Sequence, residues 1–366
     1  MAESTFISIP LELHEEHIET RKVLKRLPAA RAALAELKGA AATIPNEHIL
    51  IDTLSLQEAR DSSAIENIVT THDEVYRSSY QEEAFATPAA KEVHKYADAL
   101  KNAFASVRSN GIITLQLILD VQATIEGNRA GLRKVPGTQL RNDATGEVIY
   151  TPPQHPDEIR RLMDQLLAYI HDDNCGLDPL VKMALVHHHF ESIHPFYDGN
   201  GRTGRVLNIL MLIREDLLQL PILYLSKYII AHRADYYTHL QGARDKGDWE
   251  AWICFMLDAV TDTAQRTVKL IQAIKALMQR LKQRLRSEHP VIYSQDLMNN
   301  LFRHPYTKIA IVQHELQVSR PTAIRYLNTL VEMGILHKTK IGRSNFYINV
   351  ALFELLTHAQ NTNRPA

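Results

Sequence analysis

The twelve residues His194-Pro195-Phe196-Tyr197-Asp198-Gly199-Asn200-Gly201-Arg202-Thr203-Gly204-Arg205 constrain the fold more than any other stretch of the chain. Before them, Leu180, Met183, Ala184, His187 and Phe190 recur at helical spacing and mark one face of a helix. Proline disfavours helical geometry in the residue that precedes it, so this helix must stop at His194-Pro195. After them, Val206, Leu207, Ile209, Leu210, Leu212 and Ile213 form an apolar stretch that suits a buried helix. The stretch is therefore a helix-loop-helix junction that concentrates one His, one Asp, one Asn, two Arg and three Gly.

Gly199 to Gly204 formally match GxGxxG, but the dinucleotide fingerprint needs a strand before it and an acid about 20 positions later. Here a helix precedes the glycines, and Glu215 and Asp216 are the nearest acids after them. No Gly-Lys-Ser/Thr ending makes it a Walker A loop either. What remains is physical. Glycines opening a helix expose backbone N–H groups at a positive terminus, which is an anion site, and phosphate is the natural guest. Arg202 and Arg205 could add charge-assisted bonds to it and Asn200 a neutral donor. Asp198 is placed to hold Mg²⁺ against phosphates, because magnesium favours one or two carboxylates plus substrate oxygens. His194 could then take the proton from an incoming hydroxyl that attacks phosphorus. His187, His188 and His189 raise a rival, a transition-metal site, but adjacent histidines point around a helix, which favours core and surface packing.

The rest of the chain supplies a mainly α context. At 366 residues two or three domains are expected, and a net charge of -1 dictates no partner. Residues 27 to 110 read as helices joined by short turns. Pro136, Gly137 and the run Asn142-Asp143-Ala144-Thr145-Gly146 before Val148-Ile149-Tyr150 predict a β-hairpin or flap, and helical pattern returns from about residue 156. Val268, Ile271, Ile274, Leu277, Leu281 and Leu285 predict a long helix linking two domains. Cys175 and Cys254 are far apart and form no CxxC, the N-terminus lacks a secretory pattern, and no stretch approaches a membrane span. A cytoplasmic protein with no membrane partner is the expectation.

The stretch from His194 to Arg205 resembles the signature of the Fic (fido) family: HPF, any residue, Asp or Glu, GNGR, two residues, Arg. Every defined position matches, and with its flanks the resemblance covers roughly residues 50 to 260. It implies a helical Fic core and transfer of AMP from ATP to a protein hydroxyl, with release of pyrophosphate. Carried over by position, His194 is the general base, Asp198 the Mg²⁺ ligand, and Asn200 with the Gly199 and Gly201 amides the α-phosphate clamp. Arg202 and Arg205 hold the outer phosphates, with Thr203 and Gly204 completing the loop. The lysine-containing variant of the family's kinase-like relatives is lacking. Leu132 to Pro153 resembles the family flap, which pins the target backbone by strand pairing. Residues 226 to 240 resemble the adenine-side helix, with Tyr236, Tyr237 and Leu240 against the base.

Ser62-Ser63-Ala64-Ile65-Glu66-Asn67 resembles the family's inhibitory motif, Ser/Thr, three residues, Glu, then Gly or Asn. The resemblance pairs Glu66 with Arg205, occupying the cation meant for the γ-phosphate, with Ser62 and Asn67 as the other motif positions. Read alone, Glu66 would be a charged residue on a solvated face. Self-modification is expected, and a homodimer is left open.

Residues 301 to 350 hold seven Lys/Arg against two acids. Within residues 308 to 348 a helix, the turn QVS, a second helix capped by Ser319 and stopped at Gly334, and a wing turning at Gly342 follow the order of a winged helix-turn-helix. Ala323, Ile324, Leu327, Leu330 and Val331 form its buried face. Arg320, Thr322, Arg325 and Thr329, with Lys338, Lys340 and Arg343 on the wing, suit DNA, although such modules also dock proteins. The expected divisions are residues 1–110 with the inhibitory motif, 111–265 as catalytic core, 266–290 as linker helix and 291–366 as winged helix. A self-inhibited adenylyltransferase is the first expectation. A nucleotide-sensing DNA-binding regulator, or removal of AMP by the same site, are the alternatives.

Overall fold

The computed structural model of the protein describes residues 18–78, 87–141, 145–341 and 344–358. The N-terminal start, the hairpin tip Asn142-Asp143-Ala144, the wing residues Gly342 and Arg343 and the C-terminal NTNRPA lie outside them.

Apolar spacing and polar caps build the first half. Helix α1 (Arg21–Ala41) is capped by the Thr20 hydroxyl and α2 (Glu47–Ile65) by Asn46. Short α3 (His72–Ser78) precedes α4 (Pro88–Asn110), capped by Thr87 and closed by Gly111 at φ 70°. Helix α5 (Leu115–Glu126) likewise ends at Gly127. The expected hairpin follows: β1 (Leu140–Arg141) pairs antiparallel with β2 (Val148–Tyr150), Leu140 opposite Tyr150.

Helices α6 (Pro156–Ile170), α7 (Pro179–Ile193) and α8 (Asn200–Arg214) carry the chain into and out of the glycine loop. The sequence spacing predicts one buried face for α7, yet every residue from Leu180 to Ile193 is buried. A helix enclosed on all sides has no amphipathic stripe to betray it. The three histidines are thus all core residues, none at the surface. Helices α9 (Leu225–Ala231), α10 (Arg233–Lys246) and the 40-residue α11 (Trp249–Glu288) cover this pair. Trp252 is buried at the start of α11, and its indole N–H donates to the Ala184 carbonyl at 2.8 Å. The stretch expected as a linker, residues 266–290, is, up to Glu288, the second half of α11, which begins inside the helical core. Along its N-terminal half, α1 is tied by Arg26 to Asp258 at 3.0 Å and Lys22 to Glu250 at 2.6 Å.

Beyond α11 come α12 (Gln295–Arg303), β3 (Tyr306–Thr307), α13 (Ile309–Leu316), α14 (Arg320–Glu332), β4 (His337–Ile341), β5 (Ser344–Ile348) and α15 (Val350–His358). The three strands form an antiparallel sheet in the order β3-β5-β4. Ser319 caps α14, accepting the Thr322 N–H at 3.3 Å, and Gly334 follows its end at φ 71°. Ala323, Leu327 and Leu330 are buried, while Ile324 and Val331 are only half-buried. This C-terminal part rests directly on α2 and α3. Arg303 pairs with Asp52, the Gln57 side chain donates to the Leu356 carbonyl at 2.9 Å, and the Tyr76 and Phe353 rings meet edge-on at 6.1 Å.

Candidate functional site

The loop between α7 and α8 is shaped by two left-handed residues, His194 at φ 47° and Gly199 at φ 80°. His194 ends α7, and its N–H returns to the Phe190 carbonyl at 3.0 Å. Such a conformation is unfavourable for a residue with a Cβ and persists only where its surroundings enforce it. Gly199 precedes α8 without any side-chain cap, and a Cβ there would strike the Glu126 carboxylate. The first turn of α8 therefore keeps the uncapped helix N-terminus expected of an anion site.

Asn200 is engaged within the loop. Its amide accepts from the Phe196 N–H at 2.9 Å and donates to the Phe196 carbonyl at 2.8 Å, so the side chain braces the loop. Arg202 is 3 % exposed and bonds Glu92 at 3.0 Å and Glu126 at 2.7 Å, partners the sequence did not suggest. Thr203 is buried with its hydroxyl unpartnered among the described residues. Asp198 is exposed, its Oδ1 accepting the Gly199 N–H at 2.7 Å.

Arg205, 2 % exposed, is met by the stretch Ser62–Asn67. Its Nε donates to Ser62 Oγ at 2.7 Å, and its Nη2 to the Ser62 carbonyl at 3.0 Å and to Glu66 Oε1 at 2.8 Å. A Cβ on Gly201 would strike the Glu66 carboxylate, which thus lies over the first turn of α8. Burial alone would raise the Glu66 pKa, but the Arg205 guanidinium overrides it and holds the carboxyl below its usual range. Asn67 sits at φ 63° just past α2, a left-handed position that accepts Gly or Asn most readily, which explains the last place of the motif. Its Oδ1 accepts from Arg233 at 3.1 Å.

The His194 ring is only partly exposed, and its Nδ1 is buried without a partner among the described residues. Burial, then the cations of Arg133 and Arg244, bring its pKa down to about 4, so it is neutral at physiological pH. Two buried carboxyls flank Arg205. Burial pushes Glu58 up to about 8, against bonds from the Ser226 hydroxyl, and Glu191 up to about 7. Glu58, Ser62 and Glu66 follow at intervals of four along α2, a signal the sequence held. Glu92, Glu126, Arg133, Glu191 and Arg244 carry no such pattern.

Of the three residues expected on the adenine side, only Tyr237 presents a surface, 44 % exposed with Arg233 over its ring at 5.9 Å. Tyr236 and Leu240 are core residues. Tyr236 lies 2.9 Å from His187 Nε2, and the Leu240 carbonyl is bonded to His188 Nε2 at 3.1 Å. The Tyr236 and Tyr237 rings, neighbours on α10, meet edge-on at 5.2 Å, one in the core and the other reaching the surface. His189 Nδ1 bonds the Leu185 carbonyl at 2.8 Å; each histidine of the triplet therefore has its own partner rather than a shared metal. Among the described residues no group of three or more His, Cys, Asp or Glu is arranged to hold a metal. No described helix is long and apolar enough to cross a membrane.

The fold and loop define a mainly helical protein organised around a glycine-rich junction of two buried helices. The chain belongs to the Fic/DOC family. The family's N-terminal model matches residues 24–105, the Fic/DOC model residues 112–212, and the C-terminal domain model of SoFic-like protein adenylyltransferases residues 277–352. A protein adenylyltransferase Fic from Aedes aegypti is 30% identical over 165 residues, covering 45% of this chain and 30% of the relative. One from Drosophila melanogaster is 28% identical over 197 residues, covering 50% and 38%. The chain thus spans about a third of the length of these curated relatives. In fold it is similar to a Fic family protein from Desulfovibrio desulfuricans G20, with TM-score 0.56, 21% identity and coverage of 90% of this chain and 96% of that one. A Fic-1 fragment from C. elegans gives TM-score 0.53, 20% identity and coverage of 68% and 73%.

Proposed function

We propose that this protein is a self-inhibited protein adenylyltransferase that moves AMP from ATP to a hydroxyl side chain, on itself and on a protein target. The target hydroxyl oxygen forms a bond to the α-phosphorus, the α–β phosphoanhydride breaks, and pyrophosphate leaves with its electrons. His194, held neutral, takes the hydroxyl proton. The first turn of α8 and Arg205 receive the phosphates, and Arg202 is oriented by its two carboxylates. Asp198, an exposed carboxylate beside the loop, fits Mg²⁺, which takes few protein ligands together with phosphate oxygens. Bound there, the ion would neutralise phosphate charge.

The observation that carries the self-inhibited form is the Glu66–Arg205 contact over Gly201. A carboxylate in that place competes with phosphate for both the cation and the helix terminus. The test is the intact mass of wild-type, Glu66→Gly and His194→Ala proteins after incubation with ATP and Mg²⁺. One added AMP in Glu66→Gly, little in wild type and none in His194→Ala is expected. No gain in Glu66→Gly with either itself or a candidate target, while the protein remains folded, overturns the reading.

For the C-terminal part the helix–turn–helix α13–α14 followed by the β4–β5 hairpin supports a winged helix. Arg320, Arg325, Lys338 and Lys340 are exposed on it, which favours DNA as a ligand. Binding of duplex DNA that weakens as salt rises is the expected result, and none at low salt would overturn it.

A further inference from the structure

The last carbonyls of a helix need partners, and at α7 the left-handed His194 satisfies only that of Phe190, through its N–H at 3.0 Å. Those of Ser192, Ile193 and His194 are met by the flap. Tyr150, on β2, donates its hydroxyl to the Ser192 carbonyl at 3.0 Å. Arg133, 1 % exposed and at the start of the flap, donates through Nε to the His194 carbonyl at 2.7 Å. Its Nη2 donates to the Pro153 carbonyl at 2.8 Å and weakly to that of Ile193 at 3.4 Å, and its backbone N–H to Pro195 at 2.8 Å. From the other direction, the Tyr197 hydroxyl accepts the N–H groups of Lys134 and Val135 at 2.9 and 3.1 Å. A further tie closes the cluster: Arg244 stacks over the Tyr150 ring at 4.3 Å and donates to Ser192 Oγ at 2.9 Å.

We infer that the flap is the C-terminal cap of the helix that presents His194, with Arg133 as the positioning residue that holds His194 in its left-handed conformation. The inference rests on the adenylyl-transfer reading for its kinetic consequence, not for its structural one. A non-glycine residue stays left-handed only under external restraint, and the fork of one buried guanidinium restrains the carbonyl of His194 and spans to Pro153 at the end of the flap. A target strand seated on the flap therefore acts on the same carbonyls that aim the imidazole. None of these groups touches the phosphate-binding turn, so their loss should separate transfer from nucleotide binding.

The test uses the full chain carrying Glu66→Gly, into which Arg133→Lys, Tyr150→Phe or Tyr197→Phe is introduced. Lysine keeps the charge but cannot span several carbonyls with a planar fork. Expected for Arg133→Lys is transfer slowed at least about tenfold, in line with a misaimed reacting group, with the dissociation constant for ATP unchanged within about twofold. Tyr150→Phe, which removes one bond and leaves the ring, is expected to slow transfer a few-fold at unchanged melting temperature. It keeps the test decisive where Arg133→Lys fails to fold. Tyr197→Phe is expected to raise KM for a protein target more than it lowers kcat. Equal transfer in folded Arg133→Lys and Tyr150→Phe, or ATP affinity falling in step with transfer, overturns the assignment. Amide hydrogen exchange across residues 190–197 gives a readout that needs no activity. It should speed up in Arg133→Lys and Tyr150→Phe, and unaltered exchange refutes the cap even where the Glu66→Gly parent transfers nothing and the function reading itself has failed.

Discussion

At the scale of single residues, charge and burial make distinct statements about His194 and Ser62. With its pKa lowered to about 4 by burial and by Arg133 and Arg244, His194 is already in its neutral, proton-accepting form throughout the physiological range. The transfer rate of Glu66→Gly should therefore show no acid limb near the ordinary histidine value of about 6.5 and fall only as pH drops toward 4. A rate profile with a half-maximum between pH 6 and 7 that belongs to the chemical step would contradict this. Ser62 contributes one charge-assisted hydrogen bond to the resting Arg205. Such bonds are worth roughly 1.5 kcal/mol or more, so Ser62→Ala should tighten ATP binding by about tenfold, less than Glu66→Gly does. Isothermal titration of the two variants checks the order. How legible these residues were differs with their kind. Asp198, Arg205 and Glu66 could be found because a contiguous motif names them. Glu92 and Glu126, which grip Arg202, come from helices far apart in the chain and have no spacing rule to reveal them.

At the scale of elements, α7 shows the limit of periodicity. Its pattern suggested one apolar face, but it is enclosed by α6, α8, α11 and the flap, so its three histidines are buried and neutral. Their pKa values are all lowered, to about 3 for His187 and about 4 for His189, so the folded state binds fewer protons than the unfolded one below pH 6.5. Stability should thus decline as pH falls from about 6.5 toward 4, by up to about 1.4 kcal/mol per pH unit for each histidine. Urea melts across that range test it, and His189→Leu should flatten the dependence. The hairpin was legible from its turn residues, because Gly and Asn punctuate chains locally. Its capping of α7 was not, since nothing local links Tyr150 to Ser192.

At the scale of the molecule, the C-terminal part and helix α2 share a surface. Asp52 and Gln57 on one side of α2 meet Arg303 and the Leu356 carbonyl, while Glu58, Ser62 and Glu66 face the site. Leu356 is fully buried there. Leu356→Ala should cost about 2–5 kcal/mol of stability for a buried leucine, lowering the single melting transition. Two separated transitions in the wild-type protein would show that the parts unfold independently. The continuous α11, which begins beside Ala184 and runs on past residue 285, adds to this union.

Sequence alone determined the helical class and the helix-loop-helix junction, because each is written in contiguous residues or a short helical spacing, while the partner expected for Arg205 came from a resemblance. Tertiary structure alone decided that Asn200 braces the loop, that Tyr236 and Leu240 are core, that Arg202 is held by two distant carboxylates and that the flap caps α7. The reason is physical. Local sequence sets backbone conformation and which groups need partners, but only the packed fold brings together the residues, often more than sixty positions apart, that satisfy them.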